Sequence, residues 1–261
     1  MQIVTLTTDW GTKDFFSGMV KSKLYSNIPD VQVVDITHDI EPHNLASAAF
    51  VIKNACLNFP KGTIHIIDIN SFIGDNSYFV VIEYNKQYYI CTDNRMPYSV
   101  FGDECTNIVE IETYWEANFY NFAAYDLFCK VAIMIANGTP LEEIGYKRDN
   151  LKKSQGIGFI FDNNNIRASI MYIDSYGNAY LNITYEKFIE IAKGRRCTIT
   201  IGSDKHQIDK LASSYDEQKK ESKMILTVSS TGYIQIALKI ASAEQLLDLR
   251  VRDQVLITFI E

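Results

Sequence analysis

The sequence predicts an α/β fold: an amino-terminal βαβ sheet domain followed by a smaller, β-rich carboxy-terminal domain. Three observations carry this. Strand-like and helix-like patterns alternate up to about residue 145, which argues for a sheet with helices on its faces. Beyond residue 158 nearly every patterned segment is strand-like. Between the two runs YKRDNLKKSQGIG (146–158), a polar and charged stretch that ends in glycines. The expected division is 1–147 for the α/β domain with its ligand loop, 148–157 for a linker, and 158–261 for the β-rich domain.

Each element follows from its pattern. QIVTLTT alternates as a strand, and FFSGMVKSKLYSN places apolar residues at 15, 16, 19, 20 and 24, which is helical spacing. VQVVDIT is a strand and LASAAFVIKNACLNF a helix. GTIHIIDI, YFVVIEY and YYICTD are strands, the last two joined by the turn Asn85-Lys86-Gln87, and NIVEIE is another. A long helix ends at Asn137, because Gly138 suits a left-handed cap and Pro140 cannot continue the helix. In the second part NNNIRASIMYID, NAYLNIT, CTITIG, KMILTVSS, GYIQIALKI and QVLITFIE read as strands, while only YEKFIEIAKG and SAEQLLDL read as helices. The polar segment 213–222 reads as an exposed loop.

Composition excludes several function classes. A formal net charge of −7 disfavours nucleic acid, whose phosphates are met by clustered cations. The short basic run Lys193-Gly194-Arg195-Arg196 fits the closing turn of a helix. The five cysteines, at 56, 91, 105, 129 and 197, are odd in number and form no Cys-x-x-Cys pair. They read as buried free thiols in a reducing compartment. No stretch approaches the ~18 apolar residues of a membrane span, and the first residues lack the pattern of a secretory signal. The expectation is a cytoplasmic protein.

The chemistry gathers around TTDWGTKDFF (7–16). Asp9 stands where the first strand stops, which is where open α/β sheets bind ligands. One carboxylate accepts two hydrogen bonds and so matches a ribose diol. A turn or helix cap explains the same aspartate, and both readings stay open. Asp14 opens the following helix as a partner for its dipole. In IHIIDINSFIGDNS (64–77), His65, Asp68 and Asp75 invite a metal, but strand alternation sends His65 and Asp68 to opposite faces. In YIDSYGNAYLNI (173–184), Asn178 offers a donor and an acceptor to a ligand, or belongs to a hairpin turning at Gly177. Neither a Gly-x-Ser-x-Gly elbow nor a P-loop is present, and the four histidines are scattered.

Seven segments in register resemble one family, the S-adenosylmethionine hydroxide adenosyltransferases, whose relatives include fluorinases and chlorinases. They are TTDWGTKDFFSGMVKSKL, VVDITHDIEPHNLASAAF, FPKGTIHIID, CTDN, YDLFCKVAIMIANGTPLEEIG, IDSYGNAYLNI and STGYIQIA with SAEQLL, and they span nearly the whole chain. The resemblance implies that S-adenosylmethionine binds between the two domains, at an interface of a homotrimer. It implies that a nucleophile displaces methionine from the ribose 5′ carbon, without a metal or separate cofactor. Water would give adenosine, and halide a 5′-halogenated nucleoside. Carried over by position, Asp9 clamps the ribose, Asn178 and Ser230 approach from the second domain, and His43, Tyr176 and Asp14 lie near the ligand.

The departures fall on the water-activating groups. Where such enzymes carry Val-Val-Asp-Pro-Gly-Val-Gly, this chain reads DINSFIG, so the aspartate position falls on Asn70. The arginine position falls near Ser77, and the histidine of a His-Gly-Arg-Asp segment falls on Ala123, with Asp126 kept. Asn70 has no basic lone pair and Ala123 no polar group, whereas general base help is worth ~10²–10⁴-fold. Three readings follow. The first is an enzyme that holds water with Asn70, Asp75 or Asp126. The second is a pseudoenzyme that binds S-adenosylmethionine or adenosine without turnover. The third is a structural paralogue whose pocket is closed by Phe72.

Overall fold

The structure is a computed structural model that describes residues 1–72, 78–105, 107–112, 121–154, 158–202, 204–208, 211–217 and 224–260, without the side chains of 204–208 and 217. It is a mixed α/β protein with two sheets. The chain divides into two compact units, Met1–Gln155 and Gly156–Glu261.

The first unit runs β1 (Gln2–Thr8), α1 (Phe16–Asn27), β2 (Val31–Thr37), α2 (Leu45–Ala55), β3 (Ile64–Asp68), β4 (Phe79–Tyr84), β5 (Gln87–Thr92), α3 (Met96–Phe101), β6 (Asn107–Ile111), a π-helical turn (Ala124–Phe128), α4 (Cys129–Ala136) and β7 (Gly145–Arg148). The sheet order is β2-β1-β3-β5-β4-β6-β7. The first four strands of that order are parallel, and β4, β6 and β7 extend them antiparallel. Every residue of β3 is buried, as expected of a strand covered on both faces. On one face Val4, Leu6, Ile64 and Ile66 pack against Val20 and Leu24 of α1 and Leu127, Phe128 and Val131 of the π turn and α4. On the other, Ile67, Val80, Ile82 and Tyr89 pack against Ala48 and Ile52 of α2 and Val100 and Phe101 of α3.

Sequence pattern and structure part in a few places. α1 starts at Phe16 with Phe15 at its cap and no side-chain cap bond. Asp14 is exposed and stands ahead of that cap, so it does not open the helix. The helix ending at Asn137 contains the π turn, and it closes with Gly138 N–H on Ile135 O (2.9 Å) and Thr139 N–H on Met134 O (3.0 Å), the paired bonds of a Schellman motif.

The second unit contains β8 (Ile160–Phe161), β9 (Asn165–Ile173), β10 (Ala179–Thr184), α5 (Tyr185–Ala192), β11 (Arg196–Ile201), β12 (Asp204–Ile208), β13 (Met224–Val228), β14 (Tyr233–Leu238), α6 (Ala243–Leu246) and β15 (Gln254–Ile260). Its antiparallel sheet runs β12-β11-β15-β9-β10-β14-β13, with β8 on β9. Alternation decides the faces: Ala179, Leu181 and Ile183 of β10 and Val255, Ile257 and Phe259 of β15 point into one core with Phe188 and Ile191 of α5. Arg195 donates from Nε to Ala192 O (3.1 Å) and from Nη2 to Ile191 O (2.9 Å). The guanidinium of the basic run therefore caps the carboxyl end of α5. All five cysteines are free and buried.

Candidate functional site

The sheet order places β1 between β2 and β3, with α1 on one face and α2 on the other. The chain thus reverses direction across the sheet at β1 and β3, and the crevice at the carboxyl ends of such strands is the general ligand site of open α/β sheets. Thr8 and Asp68 are register partners at those ends. Asp9 and Asn70 follow them closely.

Asp9 is half-buried. Its Oδ2 accepts the backbone N–H of Asn70 at 3.0 Å. Asn70 stands in the left-handed region at φ 50°, which asparagine tolerates better than most residues. Its side-chain Oδ1 accepts from His43 Nδ1 at 2.8 Å, and His43 is itself left-handed at φ 66°. Asp9, Asn70 and His43, separated by up to 61 positions, form one hydrogen-bonded chain. Gly11, at φ 71°, donates its N–H to His38 O at 2.7 Å, tying the loop after β1 to the loop after β2.

Beneath this rim lies an aromatic cluster. Trp10 stacks on His38 (centroids 5.8 Å, planes 17° apart) and meets Phe122 edge-on at 4.9 Å. His38 Nδ1 is 2.7 Å from Thr8 Oγ1, and its Nε2 lies 3.2 Å from Asp35 Oδ1. The Trp10 indole N–H donates to Asp68 Oδ2 at 2.8 Å. Asp68 is only 5% exposed, and its Oδ1 has no hydrogen-bond partner. Burial, seconded by the charge of Asp9, pushes the Asp68 carboxyl up to about 7, against the opposing influence of Ser71, Trp10 and the Ala124 N–H. The sequence raised Asp68 only as a metal candidate beside His65 and Asp75, although its strand-end position is like that of Asp9. His65 lies on the other face, 2.7 Å from Thr5 Oγ1 and stacked on Tyr89.

The remaining candidates separate. Ala123 is buried at the start of the π turn and presents no polar group. Asp126 Oδ2 accepts the Phe122 N–H at 3.0 Å, so part of its acceptor capacity is already used. Phe72 is 64% exposed. Asp14 is exposed. Ser77 and Asp75 lie outside the described residues. In the second unit Asp174 organises the loop: Oδ1 accepts the N–H groups of Tyr176 (2.9 Å) and Asn178 (3.0 Å), and Oδ2 accepts Asn178 Nδ2 (3.0 Å) and the Tyr180 hydroxyl (3.2 Å). Asn178 is buried, while Tyr176 is 82% exposed. Ser230 is exposed in the turn between β13 and β14. Among the described residues no group of three or more His, Cys, Asp or Glu is placed to hold a metal. Nor is any helix among them long and apolar enough to cross a membrane.

Comparison with known proteins gives consistent matches. The family model for the S-adenosylmethionine hydroxide adenosyltransferase N-terminal domain matches residues 4–145, and that for the C-terminal domain matches residues 168–256. The chain is 26% identical to an (R)-S-adenosyl-L-methionine hydrolase of Methanocaldococcus jannaschii, over 99% of this chain and 97% of that protein. It is 21% identical to a hydrolase of the same name from Salinispora arenicola, over 98% and 97%. Among solved structures it resembles an uncharacterized conserved protein from Thermotoga maritima, with TM-score 0.89 and 24% identity over 98% of this chain and all of that one. It also resembles a conserved hypothetical protein from Thermus thermophilus, with TM-score 0.77 and 19% identity over the full length of both. At these identities the structural matches speak for the fold.

Proposed function

Because the chain belongs to the S-adenosylmethionine hydroxide adenosyltransferase family, we propose that it binds S-adenosylmethionine and cleaves it with water to adenosine and methionine. The observation that carries this reading is the position of Asp9. A half-buried carboxylate stands at the carboxyl end of β1, at the reversal point of the sheet, and is oriented by the Asn70 N–H. There it accepts the ribose 2′ and 3′ hydroxyls. The reaction is substitution at the 5′ carbon: a water oxygen bonds to carbon, the carbon–sulfur pair departs with methionine, and one proton of the water is released to solvent. The sulfonium is already a good leaving group, so no metal or separate cofactor is invoked. Asn70 and His43 belong to the same site in the first unit. Tyr176, Asn178 and Ser230 keep their assignment in the second unit by resemblance to the family. The same resemblance supports a cytoplasmic homotrimer, and the acidic charge of −7 supports a small-molecule partner rather than nucleic acid.

A second reading, a binder without turnover, is favoured by two facts: Ala123 offers no proton acceptor, and the Asn70 side chain is engaged by His43. A proton NMR time course of the protein with equimolar S-adenosylmethionine, beside a protein-free control, separates the two. Adenosine and methionine appearing faster than in the control support the hydrolase. Broadened ligand lines without product support the binder. Sharp, unchanged lines remove S-adenosylmethionine as the ligand and overturn both.

A further inference from the structure

Ile240 holds a conformation that its own side chain resists. Its φ is 58°, in the left-handed region, where a β-branched residue is a genuine outlier. It is also 84% exposed, so burial within the second unit does not offset the strain. The turn that carries it, between β14 and α6, is tied down on both flanks. Lys239 Nζ lies 3.0 Å from Asp216 Oδ1. Leu238 and Ala241 form an antiparallel bridge across Ile240. Ser242 Oγ accepts the Gln245 N–H at 3.1 Å as the cap of α6. Backbone outliers persist where their surroundings over-determine them, and they gather at ligand sites.

This turn borders the loop of Asn178. The Glu244 N–H donates to Gly177 O at 2.9 Å, and the Ser242 side chain leaves no room for a Cβ at Gly177. Within the loop Asn178 is buried. Asp174 holds its backbone N–H and its Nδ2, and no bond among the described residues engages its Oδ1. Tyr176, one position before Gly177, is exposed. An unengaged acceptor, an exposed aromatic ring and an exposed aliphatic side chain thus stand on adjoining turns of one unit.

On the reading above, and resting on it, we propose that Ile240 packs on the face of the adenine ring and sets part of the affinity for the nucleoside. A purine has a flat apolar face and an edge of donors and acceptors. Asn178 Oδ1 suits the 6-amino group on that edge. Ile240 covers the face and removes it from water. The strain at Ile240 is then offset only when the ring is bound. Replacing the side chain should stabilise the free protein and weaken the ligand together, a pairing that a residue needed only for the turn does not give.

The test measures adenosine affinity by calorimetry, thermal midpoint and sedimenting mass for the full-length wild type, Ile240→Gly, Ile240→Asn and Ile240→Leu. Gly and Asn enter the left-handed region more readily than Ile, so both variants are expected to fold. Both should bind adenosine about 3–10-fold more weakly, the loss of part of an isoleucine's apolar contact. Ile240→Asn should also raise the thermal midpoint of the free protein by about 2–4 °C. Ile240→Leu keeps an aliphatic surface and should bind within about twofold of wild type. Gly and Asn variants that bind as wild type does overturn the proposal. So does a Leu variant as weak as the Gly variant. A loss of affinity that comes with a change in sedimenting mass also overturns it, because Ile240 would then be a contact between copies. Wild type that does not bind adenosine removes the nucleoside reading itself, whereas wild type that binds beside indifferent variants removes only the role of Ile240.

Discussion

Replacing Asp68 by Asn should remove a pH dependence of stability. The folded carboxyl titrates at about 7 instead of the ordinary 3.8, because burial disfavours its charge. The folded state therefore holds its proton more tightly than the unfolded chain does. Below the unfolded value both states are protonated and nothing is lost. As pH rises, the unfolded chain ionises first and unfolding becomes easier, until the folded carboxyl also ionises above about 7. The interval spans roughly three pH units at about 1.4 kcal/mol each, so the ionised acid costs the fold ~4 kcal/mol at alkaline pH. Most of that, ~3 kcal/mol, develops between pH 5 and 8. Asparagine does not titrate, but its amide leaves an unpaired N–H, at a cost of ~1–3 kcal/mol at every pH. The variant should be level with wild type or up to ~2 kcal/mol weaker at pH 5, and the stronger protein at pH 8. Urea unfolding followed by circular dichroism at pH 5, 6, 7 and 8 measures this as the difference between the two proteins. A constant difference across that range would mean that Asp68 carries an ordinary carboxyl, and the account of its burial would fail.

Other consequences are open to direct measurement. Asp9→Ala should weaken adenosine binding by about 10–100-fold in calorimetry, the value of hydrogen bonds to a charged acceptor; an unchanged affinity would remove Asp9 from the site. Gly177→Ala would drive a Cβ into the Ser242 side chain at a φ of +78°, and should lower stability by ~2–3 kcal/mol, read as an earlier thermal transition. Burial raises Cys56, Cys105 and Cys197 to about 11 and Cys129 to about 12, and holds Cys91 well above its ordinary value. Native protein at pH 8 should therefore leave Ellman's reagent unreacted, with all five thiols appearing on denaturation; one fast native thiol would contradict that burial.

The elements legible in the sequence were those whose burial follows a period. β10 and β15 alternate because one face is covered, and β3 reads as an apolar run because both are. What escaped had no such signal. β7 reads GYKR with no buried residue, and β12 reads DKHQI, so neither shows the alternation of a half-covered strand. α3 spans six residues with a proline in its first turn, too short for helical spacing to emerge. The π turn has no sequence signature. At the site, Asp9 was legible because a strand visibly stops before it. The His43–Asn70 contact was not, because it depends on two left-handed residues far apart in sequence. Alternation correctly sent His65 and Asp68 to opposite faces. It said nothing about the acid itself, whose surroundings come from Trp10, Ser71 and Ala124.

The indole clasped to Asp68 makes the site self-reporting. The chain has two tryptophans, and Trp10 alone lies among the described residues, its N–H one hydrogen bond from a group whose charge changes near neutral pH. A full electronic charge appearing 2.8 Å from the chromophore alters the field along its excited-state dipole. The emission of a Trp115→Phe protein would then respond to the protonation of the Asp68 carboxyl, with no dye attached and no substrate added.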